Sequence, residues 1–159
     1  MSRVVQEKRR QLITVNRKST TFLIDQVKLH KRGLEIAHKP DVEFIDEEGM
    51  DASGPTKEYF HLIMRTSMLG DMRICLFEGK RDHLLPLHST EAVKSNLFFY
   101  AGRTIAHSFL HQGFPFVGMA ETAVTYIVTG SVEEGIPHIT LDDLPDLAIK
   151  DTLYRVCTI

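Results

Sequence analysis

The chain has 159 residues, with 19 basic against 21 acidic side chains, and is long enough for one domain with its own core. No apolar run approaches the ~20 residues that cross a bilayer, and the opening Met1-Ser-Arg-Val-Val-Gln-Glu-Lys-Arg-Arg lacks the apolar segment of a secretory signal. Two cysteines, Cys75 and Cys157, give no disulfide framework and suit a reducing compartment, so a cytoplasmic or nuclear protein with no membrane partner is expected.

Charge is unevenly spread. Arg3, Lys8, Arg9, Arg10, Arg17, Lys18, Lys28, Lys31 and Arg32 face only Glu7 and Asp25 in the opening stretch, while the segment from Asp41 to Asp51 is acid-rich. The basic end could contact nucleic acid. The favoured reading is a solvated helix face pairing with the acidic turn, because no aromatic-interleaved basic run of the single-strand-binding kind is present.

The chain order predicts an α+β fold, predominantly helical with a few short strands, in a single domain over residues 1–159. Gln11 to Val15 reads as a short edge strand. A first helix from Ser19 or Thr20 to Lys31 puts Phe22, Leu23, Gln26 or Val27 and His30 on one face, and Gly33 ends it. Val42 to Ile45 alternates as a strand with one buried side. Gly49 and Gly54 then permit a tight turn, and Pro55 opens a helix with Tyr59, Phe60, Ile63 and Met64 on its apolar face.

Ile74-Cys-Leu-Phe77 reads as a strand, and Leu84-Leu-Pro-Leu87 as a weaker one that Pro86 confines to an edge or loop. The longest helix opens at Ser89 or Thr90 and runs to Gln112. Its stripe is Val93, Leu97, Ala101, Ile105 and Phe109, widened by Phe98, and Gly113 and Pro115 stop it. Gly102 inside that helix costs ~1 kcal/mol against alanine, which makes sense if another backbone packs upon it. A helix over about Met119 to Val128 closes at Gly130. Asp142 and Asp143 precede a last helix beginning near Pro145, with Leu147, Leu153, Tyr154 and Val156 apolar.

No residue set supports catalysis, a cofactor or a metal. Cys157 lies at a helix C-terminus, where the dipole raises a thiol pKa, and Cys75 between Ile74 and Leu76 reads as a small buried hydrophobe. His107 and His111 have the spacing of a two-histidine metal face, but nothing nearby completes a site. The acidic turn has Met50 where a calcium ligand would stand; Glu48 or Asp51 is expected to accept backbone N–H bonds there instead. Glu78-Gly79-Lys80 lacks the rest of a phosphate loop. Tyr59, Phe60, Phe98, Phe99 and Tyr100 are striped as core, with some apolar surface left uncovered.

Strand, acidic two-glycine turn and aromatic helix together resemble the start of the HECT-type ubiquitin-protein ligase domain. That family carries Glu-x-Gly-x-Asp-x-Gly-Gly followed by Arg/Lys-Glu-Phe-Phe. Here Glu47 or Glu48, Gly49, Asp51, Gly54, Lys57, Glu58, Tyr59 and Phe60 fill the pattern, with Ser53 for one glycine and Tyr59 for a phenylalanine. Leu97-Phe-Phe-Tyr-Ala-Gly102-Arg103-Thr-Ile, Leu110-His-Gln-Gly113 and Asp142-Asp-Leu…Asp151…Leu153-Tyr154 follow in the family's order, and the G2/M-phase-specific branch is the nearest in kind.

The resemblance covers the larger part of the family's N-terminal lobe. The subdomain that docks the ubiquitin-conjugating enzyme, and the Thr-Cys loop of the C-terminal lobe that forms the thioester, have no counterpart. It therefore implies a scaffold. Gly49, Gly54 and Gly102 set backbone geometry; Glu58, paired with an arginine, Phe60 and Arg103 hold turn and helices. Conjugating enzyme and ubiquitin are met through a full-length parent. The alternative is a non-catalytic module that binds ubiquitin or a ligase partner.

Overall fold

Alternation seats the first strand: Ile13 and Val15 are buried while Leu12 beside them is exposed. The computed structural model describes residues 6–47, 54–69, 74–111, 113, 115–144 and 146–157, with backbone only at 6–8, 67–69, 147 and 157. About half of it is helical, with four short strands, an α+β fold. The residues fall into two compact units, one drawn from 1–76 and 89–116, the other from 77–88 and 117–159.

In the first unit, β1 (Gln6–Val15) runs parallel to β2 (His38–Phe44), in register Ile13 to Val42 and Val15 to Phe44. Parallel neighbours need a crossover, and α1 (Phe22–Lys31) supplies it. Its buried face is Phe22, Leu23, Gln26, Val27 and His30, as the spacing predicts. Gly33, at φ +94°, ends that helix in a conformation that L side chains rarely adopt. Both strands extend beyond the predicted runs. Pro40 is accommodated because the sheet has only two strands among the described residues, so an edge is open to its missing N–H.

α2 (Gly54–Leu69) lies against β2, and Tyr59, Phe60, Ile63 and Met64 are all buried, closing a core with Ile13, Val15, Phe22, Leu34, Val42 and Phe44. Of the acidic turn before α2, Asp46 and Glu47 are described, while Glu48, Gly49 and Asp51 lie outside the described residues. Two basic side chains do meet the acid-rich stretch. Arg17 bonds Glu47 at 2.8 Å and covers the Phe44 ring at 4.2 Å, and Arg10 approaches Asp41 at 3.9 Å. These come from β1 and the segment after it, not from a helix face.

The long helix predicted from Ser89 to Gln112 is broken. α3 (Thr90–Lys94), capped by Ser89, which accepts from Ala92 N, ends before Asn96, which sits in the left-handed region at φ 57°. Asparagine tolerates that region better than most residues. α4 (Leu97–Leu110) then starts afresh after Asn96. The predicted stripe fails at both ends, since Val93 is 65% and Phe109 78% exposed. Ala101, Thr104, His107 and Ser108 form the inward face instead.

A Cβ added at Gly102 would meet no atom within 4 Å, so no backbone packs upon this glycine among the described residues. Gly102→Ala should therefore stabilise the first unit by about 0.5–1 kcal/mol through helix propensity alone. A urea titration would check this, and a loss of stability would mean that the space over Gly102 is filled.

In the second unit, β3 (Phe77–Lys80) and β4 (His83–Pro86) form an antiparallel hairpin. The strand expected over Ile74–Phe77 begins only at Phe77, and Cys75 is exposed rather than buried, because it precedes the hairpin instead of lying inside it. On the edge of β4 away from β3, Leu84 bridges to the segment at Met119: its N–H donates to Gly118 O and its carbonyl accepts from Ala120 N. α5 (Glu121–Thr129) closes at Gly130 as predicted, α6 (Val132–Gly135) follows, and two 3-10 turns cover Ile136–His138 and Leu141–Asp143. α7 (Leu147–Cys157) is started by Asp146, which accepts from Ala148 N and Ile149 N. The predicted start at Pro145 lies outside the described residues.

Candidate functional site

Three places in the two units gather chemistry: a histidine-bearing interior, an ionic clasp and exposed apolar helix faces. The interior lies between α1, α2 and α4. Thr104 on α4 gives its hydroxyl proton to Tyr100 O at 2.9 Å, so its oxygen accepts from His30 Nε2–H, also at 2.9 Å. That fixes the His30 tautomer and leaves Nδ1 as a buried acceptor without a partner among the described residues. His107, 1% exposed, has neither ring nitrogen in a hydrogen bond of good geometry among the described residues. Its ring meets Phe60 edge-on at 5.2 Å and His111 at 5.1 Å.

Burial, reinforced by the Arg103 charge, pulls His30 down to about 4. Burial and the neighbouring His111 and His30 pull His107 down to about 3, against a weak backbone contact with His38. His111, by contrast, donates Nε2–H to Ile36 O at 2.9 Å. Its Nε2 is committed to the backbone. No three-residue metal cluster occurs among the described residues. His30 and His107 are packing groups whose neutral forms the fold selects.

A second buried bond ties α1 to α2: Tyr59 O–H donates to Gln26 Oε1 at 2.9 Å, and burial pushes the phenol well up. Arg103 reaches from α4 to Leu34 O at 2.9 Å, fastening the helix to the chain between α1 and β2. Glu58, expected to pair with an arginine, is half-buried and makes no ion pair among the described residues. The side chain of Cys157 lies outside the described residues.

The ionic clasp belongs to the second unit. Asp142 takes Lys80 at 2.9 Å and also Lys150, and these two lysines hold its carboxyl down to about 2. Asp143 accepts from Thr140 N at 2.6 Å, from His83 Nε2 at 2.8 Å and from the Thr122 hydroxyl at 3.2 Å; burial opposes ionisation, but these bonds prevail and lower its pKa. Glu78-Gly79-Lys80 is thus part of a strand, with its lysine bound to a carboxylate, and forms no phosphate cradle. His83 with Asp143 has the outline of a catalytic dyad. The second Asp143 oxygen is spent on a capping box with Thr140, and the pair clasps the hairpin to the 3-10 turn.

The apolar faces are the remaining candidates. α5 buries no side chain, and Val124, Ile127 and Val128 share an exposed face. On α4, Phe99 and Phe109 stand out from the helix, although the striping predicts Phe99 and Tyr100 in the core with Tyr59 and Phe60; Tyr100 stacks on His30 at 6.0 Å and is half-buried. Sequence spacing alone could not assign Phe109 to the outside, because the true inward face of α4 is built largely of polar residues. No helix among the described residues is long and apolar enough to cross a membrane. A scan against protein-family models finds no match, and neither does a search of curated proteins.

Proposed function

We propose that this chain is the larger, scaffolding part of the N-terminal lobe of a HECT-type ubiquitin-protein ligase. Its parent takes ubiquitin from a conjugating enzyme as a cysteine thioester and passes it to substrate lysines inside the cell, and these residues carry the machinery without performing the transfer. One observation carries most of the reading. The Lys57–Phe60 run and the Gly102-Arg103 pair, far apart in sequence, fall on α2 and α4, and those helices meet through Phe60 and His107, with Arg103 fastened to Leu34 O. Of the residues that carry the resemblance, Tyr59 and Phe60 lie in the core and Arg103 fastens α4, while Lys57 and Gly102 face outward; the reading rests on the first three.

The test has two arms. Incubated with activating enzyme, ubiquitin and a panel of charged conjugating enzymes, the chain alone should yield no reducible ubiquitin adduct; such an adduct would overturn the scaffold assignment. Exchanged for the corresponding segment of a HECT ligase, residues 6–157 should support thioester formation on that ligase's cysteine, and an unfolded or inert chimaera would count against the family. A second reading, a non-catalytic module that binds ubiquitin or a ligase partner, is favoured by the exposed Val124, Ile127 and Val128 face of α5. Direct titration with ubiquitin separates the two, since the scaffold reading expects no binding by the isolated chain.

A further inference from the structure

We propose that the outer face of α4 pairs with the same face of a second copy of this chain, antiparallel, about a two-fold axis level with Thr104. At 100° per residue, Phe99, Gly102, Ala106 and Phe109 lie together on the side of α4 opposite the buried Thr104. Phe99 is 60% and Phe109 78% exposed, and Gly102 faces open space. Phe98 and Leu110, both half-buried, flank the stripe on either side. The stripe itself holds no charged residue; Arg103 borders it, fastened to Leu34 O with its guanidinium 6.0 Å from the centre of the Phe99 ring, so the opposite face and edge of that ring are what a second copy would meet.

The register argues for a second copy over an unrelated partner. The stripe is spaced three, four and three residues apart, so Phe99 with Phe109, and Gly102 with Ala106, are both centred on Thr104. Turned end for end about that point, the helix presents the same pattern to itself. Phe99 meets the second copy's Phe109, and Gly102 meets the second copy's Ala106. This self-matching is what an isologous contact requires. Small residues at the centre let the two backbones come to the close end of helix–helix separations, ~8 Å. Aromatic pairs at both ends favour offset or edge-on contact.

Area sets the strength. Four phenylalanine rings at these exposures supply about 500 Å² of apolar surface, and the flanking Phe98 and Leu110 bring the total toward the lower bound for a specific interface, ~1,000 Å². The dimer is accordingly weak, with a dissociation constant on the order of tens of micromolar. It does not depend on the ligase reading.

Sedimentation velocity of the whole chain from about 1 to 200 µM tests it. The wild type should pass from monomer to dimer over that range. Gly102→Leu suits a helix better than glycine and enters open space, so the monomer should stay folded, as circular dichroism will read, while the dissociation constant rises at least ~10-fold. Phe109→Asp should be monomeric throughout. A wild type that is monomeric at every concentration overturns the proposal. So does a dimer indifferent to Gly102→Leu, which would place the contact elsewhere, for instance on α5, and so does α4 being covered by another protein with no self-association.

Discussion

Acidification from pH 7 to pH 5 should lower the unfolding free energy of the first unit by about 2–4 kcal/mol, read as a fall in its urea midpoint. His30 and His107 carry the effect. Folding holds both neutral and depresses them from 6.5 to about 4 and about 3, first through burial and then through like charge. A histidine so depressed contributes its full stability only above 6.5. Below that, the unfolded chain takes up protons that the folded chain refuses, at up to ~1.4 kcal/mol per pH unit for each ring, until the folded pKa is reached. Relaxation of the folded chain around a protonated ring trims this, hence the range.

The groups facing the two rings make the shift hard to compensate. Arg103 on α4, His111 at its C-cap and the rings themselves are of one sign when charged, and no carboxylate among the described residues contributes to either shift. The lowered carboxyls Asp25, Asp142 and Asp143 lose their contribution only as pH falls below ~4. The interval between pH 7 and 5 therefore isolates the histidines. His107→Phe keeps a ring against Phe60 and removes two unsatisfied nitrogens, so it should raise stability at pH 7 and remove about half of the acid slope. Parallel curves for wild type and variant would show that His107 is not held neutral by the fold.

That interior was not legible in the sequence. The bonds that build it, His30 to Thr104 and Gln26 to Tyr59, join residues 74 and 33 positions apart, and no local pattern links them. Elements with strong periodicity were legible. The buried sets of α1 and α2, and the glycine stops at Gly33 and Gly130, follow from spacing and backbone freedom alone. The break between α3 and α4 was hidden because Val93, Leu97 and Ala101 keep one helical spacing straight across Asn96. Cys75 misled for the opposite reason: apolar flanks describe the neighbours, and the strand they announce starts two residues later. The open space at Gly102 reverses the expected packing while sharpening it, since the absent neighbour becomes a question of what pairs with α4.

Phe60→Ala should cost about 3–5 kcal/mol, the largest loss expected from any single truncation in the first unit. Its side chain is wholly buried. Tyr59 lies tilted against the ring at 5.2 Å, His107 meets it edge-on at 5.2 Å, and Gly113 passes so close that a Cβ there would fall 2.5 Å from Phe60 Cδ2. Removing the ring forfeits a transfer term of about 2–3 kcal/mol and leaves a cavity whose walls belong to two helices and the Gly113 turn. A wall carrying the Gly113 backbone cannot collapse freely, so little of the cavity term is recovered. Domains are stable by only ~5–15 kcal/mol, so the variant should be largely unfolded at modest urea. With four tyrosines and no tryptophan in the chain, tyrosine emission and far-ultraviolet dichroism are the suitable probes. A loss below ~1 kcal/mol would mean that the ring is not where α2 and α4 meet, and the scaffold role argued from that meeting would lose its support.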